Sequence, residues 1–405
     1  MRFALISNVL PPSETSHAAI LQRLLRDFDP ESYCLLSSRD YTRGGGPDYS
    51  GRLPARYYHL PPPYQLTRGY RFGLARARER ANLMLGVLLR ARHIARILRR
   101  ERCDRVVVCT GGNEIFDFPA GYLASRLVGA RFYAYLLDQY SQMVSFVFGD
   151  TFLRRFEGPV IRGAAAVICP NEFMRDDVAR RFGVNPVIIR NICDVSAYEG
   201  ASGARAGAGA GGGGGARVVY TGAIGPLQAD ALSNLLTAFG LLGREDARLH
   251  LYTPQPRAAL EANGFGGERV VVHEHEPVSA MPGVQGRADV LFLPLAFRSP
   301  YPDIVSTAAP GKIGEYLASR RPILVHAPAD SFTSWYFRTH ECGLVVDRDD
   351  PEELARALGR LLSDRDLRER LTGRAWERAR ADFDLPKARA RFAELLGLDA
   401  PRGGG

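Results

Sequence analysis

A lysine and a glutamate three positions apart, Lys312 and Glu315, are the side chains whose type and spacing point most directly to chemistry. Residues three apart lie one turn from each other on the same face of a helix. The lysine would bring positive charge to a phosphate. The carboxylate can accept hydrogen bonds from two neighbouring hydroxyls, such as those of a ribose. Pro310-Gly311 stands just before them, which lets the backbone approach a ligand closely, and a helix start offers unpaired N–H groups to an anion. An exposed ion pair on a helix is the other reading of the same two residues. Composition favours the first. Of 53 basic residues only Lys312 and Lys387 are lysines, so lysine here stands out in a chain that otherwise uses arginine, and the two cations bind phosphate differently.

Three loops follow apolar runs and carry polar groups to where the ligand side of a parallel α/β sheet would be. Asn8–Ser16 contains Ser13, Glu14, Thr15 and Ser16, which read equally as a ligand-touching loop and as a turn with an N-cap. Gly111-Gly112-Asn113-Glu114 follows the run ending at Cys109, and Asp138 follows the run ending at Leu137. For Asp138 the bland alternative is a helix cap. Glu114 and Asp117 read as the start of the next helix.

The elements that must position these groups alternate. Strands are expected at Arg2–Ser7, Val106–Cys109, Phe132–Leu137, Ala165–Cys169 and Pro186–Arg190, with helices at about His17–Asp27, Leu74–Arg100, Ala120–Leu127 and Glu172–Phe182. Residues 199–216 are a glycine and alanine tract with too little apolar surface to order its backbone, and so read as a linker. A second series follows, with strands at Arg217–Thr221, His250–Tyr252, Val270–His273, Val290–Pro294, Ile323–His326 and Gly343–Val346. Strands alternating with helices imply parallel sheets covered on both faces. The expected fold is α/β, with two Rossmann-like domains facing a cleft: 1–198 on the acceptor side and 217–384 for the nucleotide. Residues 385–405 are expected to form a helix and a disordered tail. Asp350-Pro351 is a helix start, with Asp350 as N-cap.

Bulk properties exclude several classes. With 46% hydrophobic and 24% charged residues, the balance is that of a globular protein. No apolar run reaches the roughly 20 residues of a membrane span, and the first residues lack a signal-peptide pattern. A cytoplasmic protein is the expectation. The six cysteines form no C-x-x-C pair, so they read as buried thiols rather than a zinc site or disulfide framework. The eight histidines, His17 among them, lack metal-ligand spacing. The net charge of +9 is carried almost wholly by arginine, the usage of a GC-rich genome, and no nucleic-acid module accompanies it.

The segment Ala288–Val346 is where a resemblance enters. Its P-x-K-x-x-E-Y-L-A, followed by P-I-L-V and then C-G-L-V-V, resembles the donor site of the retaining family 4 (group 1) glycosyltransferases of GT-B fold. Weaker similarity spans nearly the whole chain. It implies a nucleotide-diphosphate sugar as co-substrate, no other cofactor, no metal, and transfer with retention. By resemblance, Glu315 binds the donor ribose, Lys312 neighbours the diphosphate, and Asp138 stands close to the transferred sugar as the catalytic candidate. The sequence departs from the family at two places. Thr307 replaces a first glutamate eight positions before Glu315, and Thr221–Pro226 lacks the usual basic residues. Phosphate binding would then rest on the N–H groups of Gly222, Gly225 and Gly311, with Lys312 and Arg298. Ser13, Glu14, Thr15, Ser16 and Asn113 are expected on the acceptor side, for a carbohydrate or lipid-linked acceptor. The same departures support a second reading, a degenerate protein that binds a nucleotide or partner without turnover. A nucleotide-sugar epimerase would need acid–base residues that this sequence does not group.

Arg68–Arg102 holds eleven arginines interleaved with Leu83, Met84, Leu85, Val87, Leu88, Leu89, Ile94, Ile97 and Leu98. It reads as a packed helix with a solvated arginine face, or as a basic amphipathic helix lying on an anionic membrane.

Overall fold

The short apolar runs become two parallel sheets, each in its own unit. The computed structural model describes residues 1–13, 15–42, 51–62, 75–111, 115–141, 154–200, 215–274 and 276–399. The first unit comprises Met1–Arg190 and Pro386–Gly405, the second Asn191–Leu385.

In the first unit the chain runs β1 (Phe3–Ile6), α1 (Ser16–Leu25), β2 (Tyr33–Ser37), β3 (Arg56–His59) and α2 (Ala75–Glu101). It continues through β4 (Arg105–Thr110), α3 (Asp117–Val128), β5 (Arg131–Leu136), α4 (Arg154–Arg162), β6 (Ala166–Cys169), α5 (Glu172–Phe182) and β7 (Val187–Ile188). The sheet order is β3-β2-β1-β4-β5-β6-β7, every pair parallel. Strands β2 and β3 and helix α4 were not expected from the pattern. Burial of β2 on both faces removes the alternation that marks a strand. Alternate residues of β1, β2, β4 and β5 face a core with α2 and α3, where Ile6, Leu36, Val108 and Ala134 meet Val87, Ile94 and Phe118. Arg90 of α2 and Asp117 at the start of α3 form a buried ion pair, which accounts for Asp117.

The second unit runs β8 (Arg217–Thr221), α6 (Ala229–Leu241), β9 (Arg248–Tyr252), α7 (Arg257–Ala262), β10 (Val270–His273), α8 (Met281–Gly286) and β11 (Val290–Pro294). Then come α9 (Pro302–Thr307), α10 (Lys312–Ala318), β12 (Ile323–His326), α11 (Phe332–His340), β13 (Leu344–Val346), α12 (Pro351–Ser363) and α13 (Arg365–Asp382), before α14 (Leu385–Leu396) carries the chain back into the first unit. Its sheet order is β10-β9-β8-β11-β12-β13, again all parallel. Asp350 caps α12, accepting the Glu352 and Glu353 N–H groups. Helix α9 lies in the connection between β11 and Pro310.

The domain boundaries differ from those expected. Residues 191–198 pack with the second unit: the Tyr198 hydroxyl donates to Gln285, and Cys193 N–H donates to Phe383 O. From Pro386 onward the chain returns to the first unit. Phe392 sits against Phe3, Phe28 and Tyr135, and Arg389 pairs with Asp27. Burying one such phenylalanine is worth about 1.5–3 kcal/mol. Of the expected linker, 201–214 lie outside the described residues. Among the described residues, no helix is long and apolar enough to cross a membrane, and all six cysteines are buried and free.

In both sheets the strand order reverses between a first strand and its neighbour, at β1/β4 and at β8/β11. Crevices beyond the carboxyl ends of such strands are where ligands bind in this architecture.

Candidate functional site

At the β8/β11 reversal, Lys312 reaches back from α10 to the end of β8. Its ammonium nitrogen lies 3.9 Å from the centre of the Tyr220 ring, a cation–π contact, and it makes no ion pair with Glu315. Tyr220 is fully buried. Desolvation brings the Lys312 pKa down from 10.5 to about 7, with Glu315 pulling weakly the other way. Burial thus disfavours the ammonium charge at the carboxyl end of β8, and an anion bound there would favour it again. Gly222 makes room for it: a Cβ there would stand 3.0 Å from Nζ, and φ of 114° is a backbone conformation that side-chain-bearing residues rarely adopt. Helix α10 is pinned to β8 by the buried Tyr316 hydroxyl, which accepts the Thr221 N–H at 3.0 Å.

Glu315 follows one turn later, partly exposed. Its Oε2 accepts a hydrogen bond from the Gln285 amide at 3.3 Å, and the Gln285 Oε1 accepts one from Tyr198 at 2.9 Å. Gln285 is fully buried and Tyr198 nearly so. With its oxygen taken by a hydroxyl, the amide must present nitrogen to Glu315. Neither residue stood out in the sequence. Gln285 lies in a short helix and Tyr198 next to the glycine tract, with no spacing to link them.

Three residues expected at the phosphate, Gly222, Gly225 and Arg298, and Thr307, expected at the sugar, all have partners within the unit. The Gly222 N–H donates to Tyr252 O at 2.8 Å, and the Gly225 N–H to the Gln228 side chain at 3.2 Å. Both are held within the loop. Arg298 is engaged by two carboxylates: its Nε lies 3.4 Å from Asp349 and 3.8 Å from Asp230, and its backbone N–H donates to Asp230. Two carboxylates thus neutralise the cation. Thr307 is buried at the end of α9, its hydroxyl donating to Asp303 O at 3.0 Å. Among the described residues, the N–H groups of Ala223, Gly311 and Lys312 have no hydrogen-bond partner. Ile313 N–H, also at the helix start, already donates to Pro310 O.

In the first unit, the β1/β4 reversal brings together residues far apart in sequence. His17, in the first turn of α1, places Nε2 3.6 Å from Asp138 Oδ2 beyond β5. Burial raises the Asp138 pKa, and His17 opposes the shift. Gly111, after β4, leaves the space the imidazole occupies, since a Cβ there would lie 3.0 Å from the ring. The Asp138 N–H donates to Thr110 O, and the next residues are anchored. Gln139 bonds Asp177 at 2.9 Å, Arg181 bonds Gln139 at 2.7 Å, and Glu157 accepts the Ser141 N–H and the Arg181 guanidinium. His17 had been set aside with the scattered histidines. The signal was its place in the first turn after the first loop.

Of the loop candidates, Thr15 is the N-cap of α1, accepting the Ala18 N–H at 3.3 Å. Ser13 closes a turn onto Leu10 O, and Ser16 is the exposed first residue of α1. For Thr15 and Ser13 the turn-and-cap reading is the one the geometry meets. Glu14 and Asn113 lie outside the described residues, and no group of three or more His, Cys, Asp or Glu among the described residues is placed to hold a metal ion.

Solved structures share this architecture across 98% of the chain. A glycosyltransferase from Rickettsia africae is 11% identical, with 98% of its own chain covered and a TM-score of 0.65. HepE of Anabaena, solved with UDP-glucose, is 12% identical, 99% covered, with a TM-score of 0.67. Sucrose-phosphate synthase from Thermosynechococcus elongatus is 14% identical, 98% covered, at the same TM-score. At such identities the likeness is one of fold, and that fold is GT-B. No curated protein matches by sequence. The family model described as glycosyl transferases group 1 matches residues 215–364.

Proposed function

We propose that the protein is a retaining glycosyltransferase, taking its sugar from a nucleotide-diphosphate donor held by the second unit. The single observation that carries this is the Lys312 ammonium, desolvated over Tyr220 at the β8/β11 reversal with Glu315 one turn away. Lysine there meets the diphosphate charge that grows as the glycosidic bond breaks, together with the N–H groups of Ala223, Gly311 and Lys312, and no metal ion is needed. Glu315 accepts the ribose hydroxyls. Family 4 membership and retention rest on the resemblance of the α10 segment. UDP-glucose in the Anabaena structure supports a nucleotide-sugar donor of this kind. In the first unit, Asp138 with its raised pKa is the group that stabilises or accepts a proton from the attacking hydroxyl, and His17 holds its carboxylate. The acceptor is a carbohydrate or lipid-linked saccharide, and the setting cytoplasmic.

The test is thermal stability against a panel of nucleoside diphosphates and their sugars. Ligands of the native state raise the melting temperature by mass action. A selective shift with one base, lost in Glu315→Ala, is expected. No shift with any member overturns the donor site. Thr307 in place of a carboxylate, and Arg298 neutralised by Asp230 and Asp349, favour one alternative, a protein that binds nucleotide without turnover. That reading keeps the thermal shift but releases no nucleoside diphosphate with any acceptor.

A further inference from the structure

Helix α2 carries two apolar faces, and only one of them is used inside the first unit. Leu83, Val87, Ile94 and Leu98 are buried in the core, as a packed helix requires. Met84, Leu88 and Leu89 point the other way, 36%, 47% and 38% exposed. They are three of only seven large apolar side chains exposed among the described residues, and they lie within six positions of one another. Arginines bracket them: Arg80 one turn before Met84, Arg92 and Arg96 in the two turns after Leu88, all exposed. Arg99 and Arg100 extend the row, and Glu79 is the one acidic residue exposed on this helix. Leu127, 55% exposed, adds to the patch, because the Arg99 guanidinium donates to its carbonyl at 3.2 Å.

We propose that this face of α2 is a docking surface for an anionic lipid bilayer. Arginines at both ends of a short apolar strip are complementary to negative headgroups over acyl chains. Arginine stems lie along apolar surface while their guanidinium groups reach the headgroups. A second copy of the chain would set arginine row against arginine row, which like-charge repulsion opposes. The inference stands apart from the transfer reaction, and its test needs no donor or acceptor.

Co-sedimentation with vesicles reads it directly. Wild-type protein is expected to pellet with phosphatidylcholine vesicles containing about 30% phosphatidylglycerol, and not with pure phosphatidylcholine. Raising salt from about 0.1 M to about 1 M should release it, as the screening length falls. Leu88→Glu should abolish binding. Arg92→Ala with Arg96→Ala should weaken it about 25-fold, at about fivefold for each arginine. All three positions are solvent-exposed, so an unchanged melting temperature shows that the variants fold. Binding that survives both changes, or no binding to the anionic vesicles, overturns the proposal. So does a concentration-dependent dimer in sedimentation velocity that Leu88→Glu dissolves, since the face then belongs to a second copy.

Discussion

The two strand-order reversals solve different problems with the same topology. At β8/β11 the working groups come from one short stretch, α10, and the surrounding polar atoms are fastened to one another. Gly222, Gly225, Arg298 and Thr307 all have partners inside the unit. What remains is one cation and a few N–H groups, a fixed field for an anion. At β1/β4 the groups come from three separate segments, α1, the β4 end and the β5 end, and they are a carboxylate and an imidazole. Asp138 keeps 35% of its side chain exposed, as a group that exchanges protons must. Under the proposed function, one reversal holds charge and the other moves a proton.

The largest effect should come from Asp138→Asn. Removing a group that handles a proton in the transition state costs about 10²–10⁴ in turnover. Nucleotide binding, measured by calorimetry, should be unchanged. In the wild type, kcat/KM should fall with acid at a pH above the ordinary carboxylate range, because the raised pKa loses the ionised form early. That limb should vanish in the variant. If Asp138→Asn weakens nucleotide binding as much as turnover, the division of labour between the two reversals is wrong.

Lys312→Met sharpens the comparison from the other side. Loss of a charged contact to phosphate should weaken nucleoside-diphosphate binding about 10- to 100-fold. In the wild type, affinity should decline as pH rises above about 7, since binding then requires proton uptake by the lysine. The variant should show no such slope. Stability carries the opposite sign. Between about 7 and 10.5 the unfolded lysine keeps a proton that the folded one has released, so wild-type stability rises with pH across that window. Ligand-free Lys312→Met should therefore melt higher than wild type at pH 6. A lower melting point would mean that Lys312 is a structural residue.

Much of the second site was legible in the sequence because its parts are adjacent. Lys312, Glu315 and the helix start at Gly311 fall within one short segment, and the strands around them are buried apolar runs. What the sequence could not show was which polar atoms the fold had already paired. Gly222 and Gly225 look available in a glycine-containing loop, and only Tyr252 O and the Gln228 side chain reveal otherwise. Arg298 likewise looks free until Asp230 and Asp349 close on it. The first site hides for a different reason. His17 and Asp138 meet only because β1 and β5 flank β4, and no local pattern encodes that. Phe392 escaped for the same reason, its partners being near the other end of the chain.

A smaller effect is expected from Gly222→Ala. The position needs a backbone conformation costly to any other residue, of order 1–3 kcal/mol, and the new methyl would press on Lys312 Nζ. The melting temperature should drop by several degrees, and nucleotide affinity should fall with it. A variant that loses stability but keeps full affinity would show that the lysine adapts, and that the glycine serves the backbone alone.

The smallest effect tests whether the fixed field extends to the ribose. Gln285 holds one oxygen of Glu315, and Tyr198 holds Gln285. If this chain aims the carboxylate, Tyr198→Phe and Gln285→Met should narrow the preference for a nucleoside diphosphate over its 2′-deoxy form by a few-fold, about the worth of one hydrogen bond. Affinity for the deoxy form should change little, because base and phosphate contacts are untouched. A merely structural role would predict the reverse, an equal loss for both nucleotides together with a lower melting temperature. Gln285→Glu separates the two further. It keeps the shape of the side chain but sets a second carboxylate against Glu315, which raises the pKa of the pair. Ribose discrimination should then be strongest at acid pH, where one proton is shared between the two groups, and decline as both ionise. The wild type should show no such trend. Discrimination that stays flat with pH in Gln285→Glu would leave Glu315 aimed by its own helix, and confine the pre-set charge of the second reversal to Lys312.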